Sequence, residues 1–336
     1  MSRSAPLPAA RVLRAAALGL ALAPGAPLHA APFAWITNQG SHDVSVIDLA
    51  SQAVVGTIAV GRSPAGVVAS SAAGRVFVTN PDSRTISVID MRERRVVDTL
   101  AAGDGAVGID ASADGTRVYA ADWYRNRLLV FDARAAAGTA PRAPLASIAV
   151  GKAPAGVAAG DAPGTVFVAE RDDDSVARVD VGAQRVRARA GVGSHPFALL
   201  FDAPRQRLYA LNVQSDDVSV LDTRDPDRLD VIATVKVGKA PYGAALSPDG
   251  ALLYVTNQHD DTVSVVDAAT LATVRTLTGF AHPEGIAAHA QRVYVVNWMD
   301  DNVSVRDARS GRALGEIATG RNSRGFGAFI GAPAAR

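Results

Sequence analysis

Beyond the first 30 residues the chain carries five histidines, His42, His195, His259, His282 and His289. Imidazole is the side chain whose charge changes nearest neutral pH, so these positions hold most of the capacity for proton transfer or ligand binding. His259 precedes Asp260, and His282-Pro283-Glu284 sets an imidazole two residues from a carboxylate, the parts of an acid/base pair such as lactone hydrolysis requires. Trp123, Tyr124 and Trp298 offer aromatic surface, Asp300 and Arg324 add charge, and in four of the glycine turns between units a cation directly follows the glycine: Arg62, Lys152, Lys239 and Arg321. The chain has no cysteine, hence no Cys-x-x-Cys-His haem attachment. It also lacks a Gly-x-Ser-x-Gly elbow, a His-Glu-x-x-His pair and a phosphate-cradling glycine loop ahead of a helix. Asp172-Asp173-Asp174 and Asp216-Asp217 read as solvated turns. No catalytic residue, metal site or cofactor is therefore expected.

What would position these side chains is a repeat. Tyr254-Val255-Thr256-Asn257, a polar turn and Val263-Ser264-Val265-Val266-Asp267 form a unit of two β-branched runs. It recurs as Trp35-Ile36-Thr37-Asn38 with Val44 to Asp48, and as Phe77-Val78-Thr79-Asn80 with Ile86 to Asp90. Looser copies run from Tyr119 to Asp132, Phe167 to Asp180, Tyr209 to Asp222 and Tyr294 to Asp307. The closing aspartates recur every 40 to 48 residues, the length of a four-stranded propeller blade. Each unit also contains a Gly-x-x-Pro-x-Gly turn leading into a small-residue strand, such as Gly238 to Gly243, and a fourth strand such as Val274 to Leu277. The Val-Ser-Val-Ile-Asp strand is apolar or small on both faces, so each sheet must be covered on both sides, and the copies fold as one array. The expected fold is all-β, a seven-bladed β-propeller of four-stranded antiparallel blades. The first aromatic strand lacks its glycine-turn strand, and Gly320 to Ile330 supplies one. The ring is therefore expected to close when the C-terminal strand completes the first blade, removing an open edge.

Residues 1–30 read as an export signal. Arg3, Arg11 and Arg14 form a positive region, Ala15 to Ala23 a short apolar core, and Leu28-His29-Ala30 a cleavage site. The apolar run is shorter than the roughly 20 residues that a spanning helix needs. Residues 31–336 then form a single domain, expected to be periplasmic or secreted, without a membrane span, and monomeric. Basic and acidic residues number 34 and 33; without the three N-terminal arginines, 31 face 33, a net of −2. So neutral a surface gives no whole-molecule attraction to nucleic acid.

The seven Tyr-Val-Thr-Asn-like tetrapeptides, the Val-Ser-Val-Ile-Asp strands and the Gly-Lys-x-Pro-x-Gly turns closely resemble the bacterial YVTN-type β-propeller repeat family, over about Phe33 to Ile330. The resemblance implies an exported seven-bladed propeller whose repeat residues are architectural. Related propellers include lactonase-like enzymes, nucleic-acid-binding periplasmic proteins and partners of quinone or haem dehydrogenases. No shared catalytic motif carries over.

Meander connectivity sorts the loops onto two faces. The glycine-proline turns and the turns after Thr-Asn share one face, here the top. The Asp-Gly hairpins and two longer loops, Arg134 to Leu145 and Arg224 to Asp230, share the other. The top face would gather His42, His195, His259, Asp260, His282, Glu284, Trp298 and Arg324, with Trp123 across the opening: a mouth for a small ligand or a protein partner. The first reading is thus a binding or scaffold protein. The alternatives are a lactonase-like hydrolase, an accessory subunit of a periplasmic dehydrogenase, and single-stranded nucleic-acid binding along a rim of Arg62, Lys152, Lys239 and Arg321. Asn38, Asn80, Asn212, Asn257 and Asn297 recur too regularly for one active site. They are expected, like the closing aspartates, to cap their own turns.

Overall fold

The computed structural model describes Met1, residues 32–135 and residues 138–333. The export segment expected over residues 1–30 lies, Met1 apart, outside the described residues. No helix among them is long and apolar enough to cross a membrane.

Seven four-stranded antiparallel sheets form a ring, each built outward from a central channel. Blade 6 shows the pattern: Pro241–Leu246 lies innermost, followed by Leu252–Asn257, Thr262–Asp267 and, at the rim, Thr273–Leu277. The second and third strands are buried along nearly their whole length, as two-faced apolar sequences demand, while the outer strand alternates towards solvent. Trp35, Phe77, Tyr119, Phe167, Tyr209, Tyr254 and Tyr294, aromatic residues of the second strands, are almost fully buried between blades.

Neighbouring blades interlock through two residue types of the repeat. A methyl group on Gly66, Gly108, Gly156, Gly243 or Gly285 would overlap a backbone carbonyl of the adjoining inner strand or of the tail, so only glycine permits this approach. Beside it, the threonine of the tetrapeptide acts as a relay. The Gly243 N–H donates to Thr256 Oγ1 at 2.8 Å, and that hydroxyl donates to the Glu284 carbonyl of blade 7 at 2.9 Å. Thr79 joins Gly66 to Val107 in the same way.

The tail repeats this relay at the seam. Gly325 N–H donates to Thr37 Oγ1, which donates to the Ala65 carbonyl of blade 2. Ile330–Gly331 pairs antiparallel with Phe33–Asn38 and completes blade 1. The closing strand is shorter than the whole tail segment expected for it. Phe326 and Ala328 carbonyls instead accept from Val67 and Ala69 N–H on blade 2, and the chain returns to blade 1 at Phe329. Positive φ at Gly325 and Gly327 allows this detour.

The closing aspartates cap their own turns, as Asp267 does in accepting from the Ala269 and Thr270 N–H groups. The tetrapeptide asparagines differ from expectation. Asn257 is buried; its amide donates to Thr262 and Ser264 of the third strand, and its oxygen accepts the Gly238 N–H of the incoming connection. Because the motif ends inside the sheet, the amide reaches across strands and into the interblade crossover, not back to its own turn. The longer loop of blade 3 is likewise anchored: Arg142 pairs with strand Arg95–Ala101 of blade 2 and holds the buried Asp98 at 2.5 Å.

Candidate functional site

Pro241 lies opposite Asn257, and Pro283 opposite Asn297, so the glycine-proline connections and the turns after the tetrapeptides share one face. His42, His195, His259 and His282 lie there. His289 pairs with Arg292 at the far end of its strand. The mouth has two concentric rings. The residue before each interlocking glycine forms the inner one: Ala65, Val107, Ala155, then Phe197 (before Ala198), Tyr242, Glu284 and Arg324. The residue after each tetrapeptide forms the outer one, including Trp123, Arg171, Gln258 and Trp298.

Four of these seven inner-ring residues are aromatic or charged, and the aromatic pair closes the channel with the tail. Phe197 stacks on Tyr242 at 4.6 Å between ring centroids, and Phe326 of the tail packs on both, at 5.0 and 5.7 Å. All three are buried. Trp123 leans on Phe197 at 6.2 Å, and the Arg171 guanidinium lies over the Trp123 ring at 5.5 Å. Beside this plug, Arg324 donates to both oxygens of Glu284, at 2.6 and 3.1 Å, and to the Tyr242 hydroxyl at 2.7 Å. Gln258 donates to Glu284 as well, at 2.7 Å. Burial raises the Glu284 pKa, and the guanidinium opposes that shift. Burial also pushes the Tyr242 phenol up. Arg324 and Gln258 together engage both oxygens of Glu284, which sits in a buried ion pair.

His282 stacks between His259, at 5.5 Å, and Trp298, at 5.6 Å. This trio, together with Glu284, Arg324 and the plug, makes one continuous patch over blades 5, 6, 7 and 1. Two large side chains stand exposed on the same face, Tyr124 beside Trp123 and Met299 beside Trp298, at 74% and 63%. Met299 was not among the expected site residues, which centred on the histidines. Its signal was its position in the turn next to a tryptophan.

Two candidate site residues accept hydrogen bonds from the scaffold. His42 accepts the Ser63 N–H through Nδ1 at 3.1 Å, in the slot where Asp174, Asp216 and Asp261 accept N–H groups of the next blade's connection. Asp260 accepts the Lys239 N–H at 2.7 Å. His195 sits apart from the stack, 3.9 Å from Asp172 and Asp174. The rim cations share their turns with acidic groups and carbonyls: Arg62 donates to the Asp82 carbonyl, Lys152 lies 3.4 Å from Asp173, and Arg321 donates to the Gly40 carbonyl. Among the described residues no group of three His, Asp or Glu is placed to hold a metal ion.

No protein-family model and no curated protein matches the chain. Solved structures do. A chain of Kuenenia stuttgartiensis hydrazine synthase superposes with a TM-score of 0.71 at 18% identity, covering 83% of this chain and 92% of that one. A functionally unknown protein from Desulfotomaculum acetoxidans DSM 771 reaches 0.76 at 16% identity, over 90% and 99%. The dihydro-heme d1 dehydrogenase NirN, in complex with DHE, reaches 0.65 at 15% identity, over 91% and 78%. They share the fold.

Proposed function

We propose that this chain is an exported binding propeller of the YVTN repeat type, periplasmic in a host with two membranes, whose top face docks a protein partner. One observation carries the reading: exposed Tyr124 and Met299 flank half-buried Trp123 and Trp298 above a channel that Phe197, Tyr242 and Phe326 close from beneath. Tyrosine, tryptophan, methionine and arginine are the residues enriched where proteins meet, and a shallow plugged mouth suits a surface better than an enclosed small molecule. The His259–His282–Trp298 stack lies within the same footprint and would be covered by the partner.

The test is a comparison of captures from native periplasm. A Tyr124→Glu/Met299→Glu variant should lose the partner, whereas Val231→Glu/Ile232→Glu, on the outer strand of blade 5, should keep it. Equal capture by both variants would refute the reading. A narrower form, in which the partner is a dehydrogenase and this chain its accessory subunit, follows from the repeat-family resemblance, whose relatives include partners of quinone or haem dehydrogenases.

A further inference from the structure

Beneath the aromatic plug the channel holds a cavity of about 370 Å³, walled by the inner strands of blades 3 to 7 and by the tail. Its walls are small or apolar, among them Ile109, Val157, Leu199 and Ile286. Phe326 closes the end towards the top face. At the other end Phe201, Leu246 and Ile330 are half-buried, and Gly327 and Ala328 are exposed, so solvent enters from the face opposite the histidines.

Among the described residues, one lining side chain is ionisable. Asp110 lies opposite Tyr119 in the second strand of blade 3. The same slot, opposite the buried aromatic residue, holds Val68, Ala158, Leu200, Ala245 and Ala287 in the other blades with a complete inner strand. A carboxylate there breaks an otherwise apolar pattern. Its Oδ1 accepts the Ala111 N–H and its Oδ2 the Ala159 N–H of blade 4, both at 2.8 Å. These bonds fix the group across the junction of two blades and leave each oxygen a free lone pair.

We infer that this cavity is a second binding site, distinct from the top face, that takes a small monoamine with an apolar body, its ammonium on Asp110 and its hydrocarbon along the channel wall. The volume lies in the range of small-molecule pockets. Burial of a charge is costly without a partner of opposite sign, and among the described residues the inner strands of blades 4 to 7 and the tail bring no cation to Asp110. Tyr119 is the titratable neighbour, and two backbone N–H groups only partly offset the desolvation that raises the Asp110 pKa to about 6. An ammonium would supply the missing charge.

The probes are hexylammonium and 2-phenylethylammonium, with hexan-1-ol as the neutral control, followed by titration calorimetry on the full chain. At pH 7.5 the amines should bind about tenfold or more tightly than the alcohol, and Asp110→Asn should reduce them to the alcohol's level. On wild-type protein the amine affinity should fall about tenfold from pH 7.5 to pH 5, as Asp110 becomes protonated, while the alcohol's stays constant. Undiminished amine binding to Asp110→Asn, amine affinity independent of pH, or no amine binding at millimolar concentration would each overturn the inference. The pH series needs no variant, so it decides the matter even if Asp110→Asn does not fold.

Discussion

Arg324 reaches Glu284 with two hydrogen bonds, at 2.6 and 3.1 Å, across the seam where blade 7 meets the tail. Both side chains are well buried, at 19% and 2% exposure. Removing one partner leaves the other charge uncompensated. Glu284→Ala and Arg324→Ala should each cost about 3 to 5 kcal/mol in urea unfolding. A Glu284→Leu/Arg324→Met double variant should cost clearly less than the sum. Additive losses would show that the pair is not coupled.

The interlocking glycines divide sharply from the others. Gly108→Ala drives a methyl group into the Ala155 carbonyl, a backbone atom that cannot swing aside. Its expected cost is about 1 to 3 kcal/mol or more. Gly56, on the outer strand of blade 1, has open space around it. Gly56→Ala should be neutral or stabilising by up to about 1 kcal/mol. Thermal melts of the two variants side by side check the contrast.

Asp110 makes stability depend on pH in a defined direction. Its folded pKa, about 6, lies above the 3.8 of an ordinary aspartate. Its favourable share is therefore present below pH 3.8 and is lost as pH rises through 6. Asp110→Leu, which matches Leu200 in blade 5, should stabilise the protein at pH 7.5 by about 1 to 3 kcal/mol, allowing for water in the channel. At pH 4 the gain should shrink. A gain that does not change with pH would contradict the assignment.

His42 works as a staple, so its replacement should follow hydrogen-bonding shape. Asn126 does the same task in blade 3, accepting the Ala153 N–H at 3.1 Å. His42→Asn should therefore leave the melting temperature nearly unchanged, and His42→Ala should cost about 1 kcal/mol.

The period of the closing aspartates was enough to count blades, and the unmatched first strand was enough to find the seam. Those inferences rest on patterns local to one repeat. The plug was not legible, because Phe197, Tyr242 and Phe326 come from different blades and meet only once the ring curves back. Asp260 and His42 were ambiguous in the sequence for a related reason: in a turn, a side chain that staples the next blade and one that binds a ligand are the same polar residue. The detour of the tail depends on Gly325 and Gly327, whose positive φ a strand pattern does not reveal. Asp110 was readable in principle. Aligned with Val68, Ala158 and Leu200, it is the one carboxylate among these inner-strand slots.

The most direct test of the docking face is oxidative footprinting of the chain in intact periplasmic extract and, separately, after purification. Tyr124 and Met299 should be oxidised markedly more slowly in the extract, with exposed Leu145, on the opposite face, unchanged. Equal oxidation of Tyr124 and Met299 in the two states would contradict partner docking at the top face.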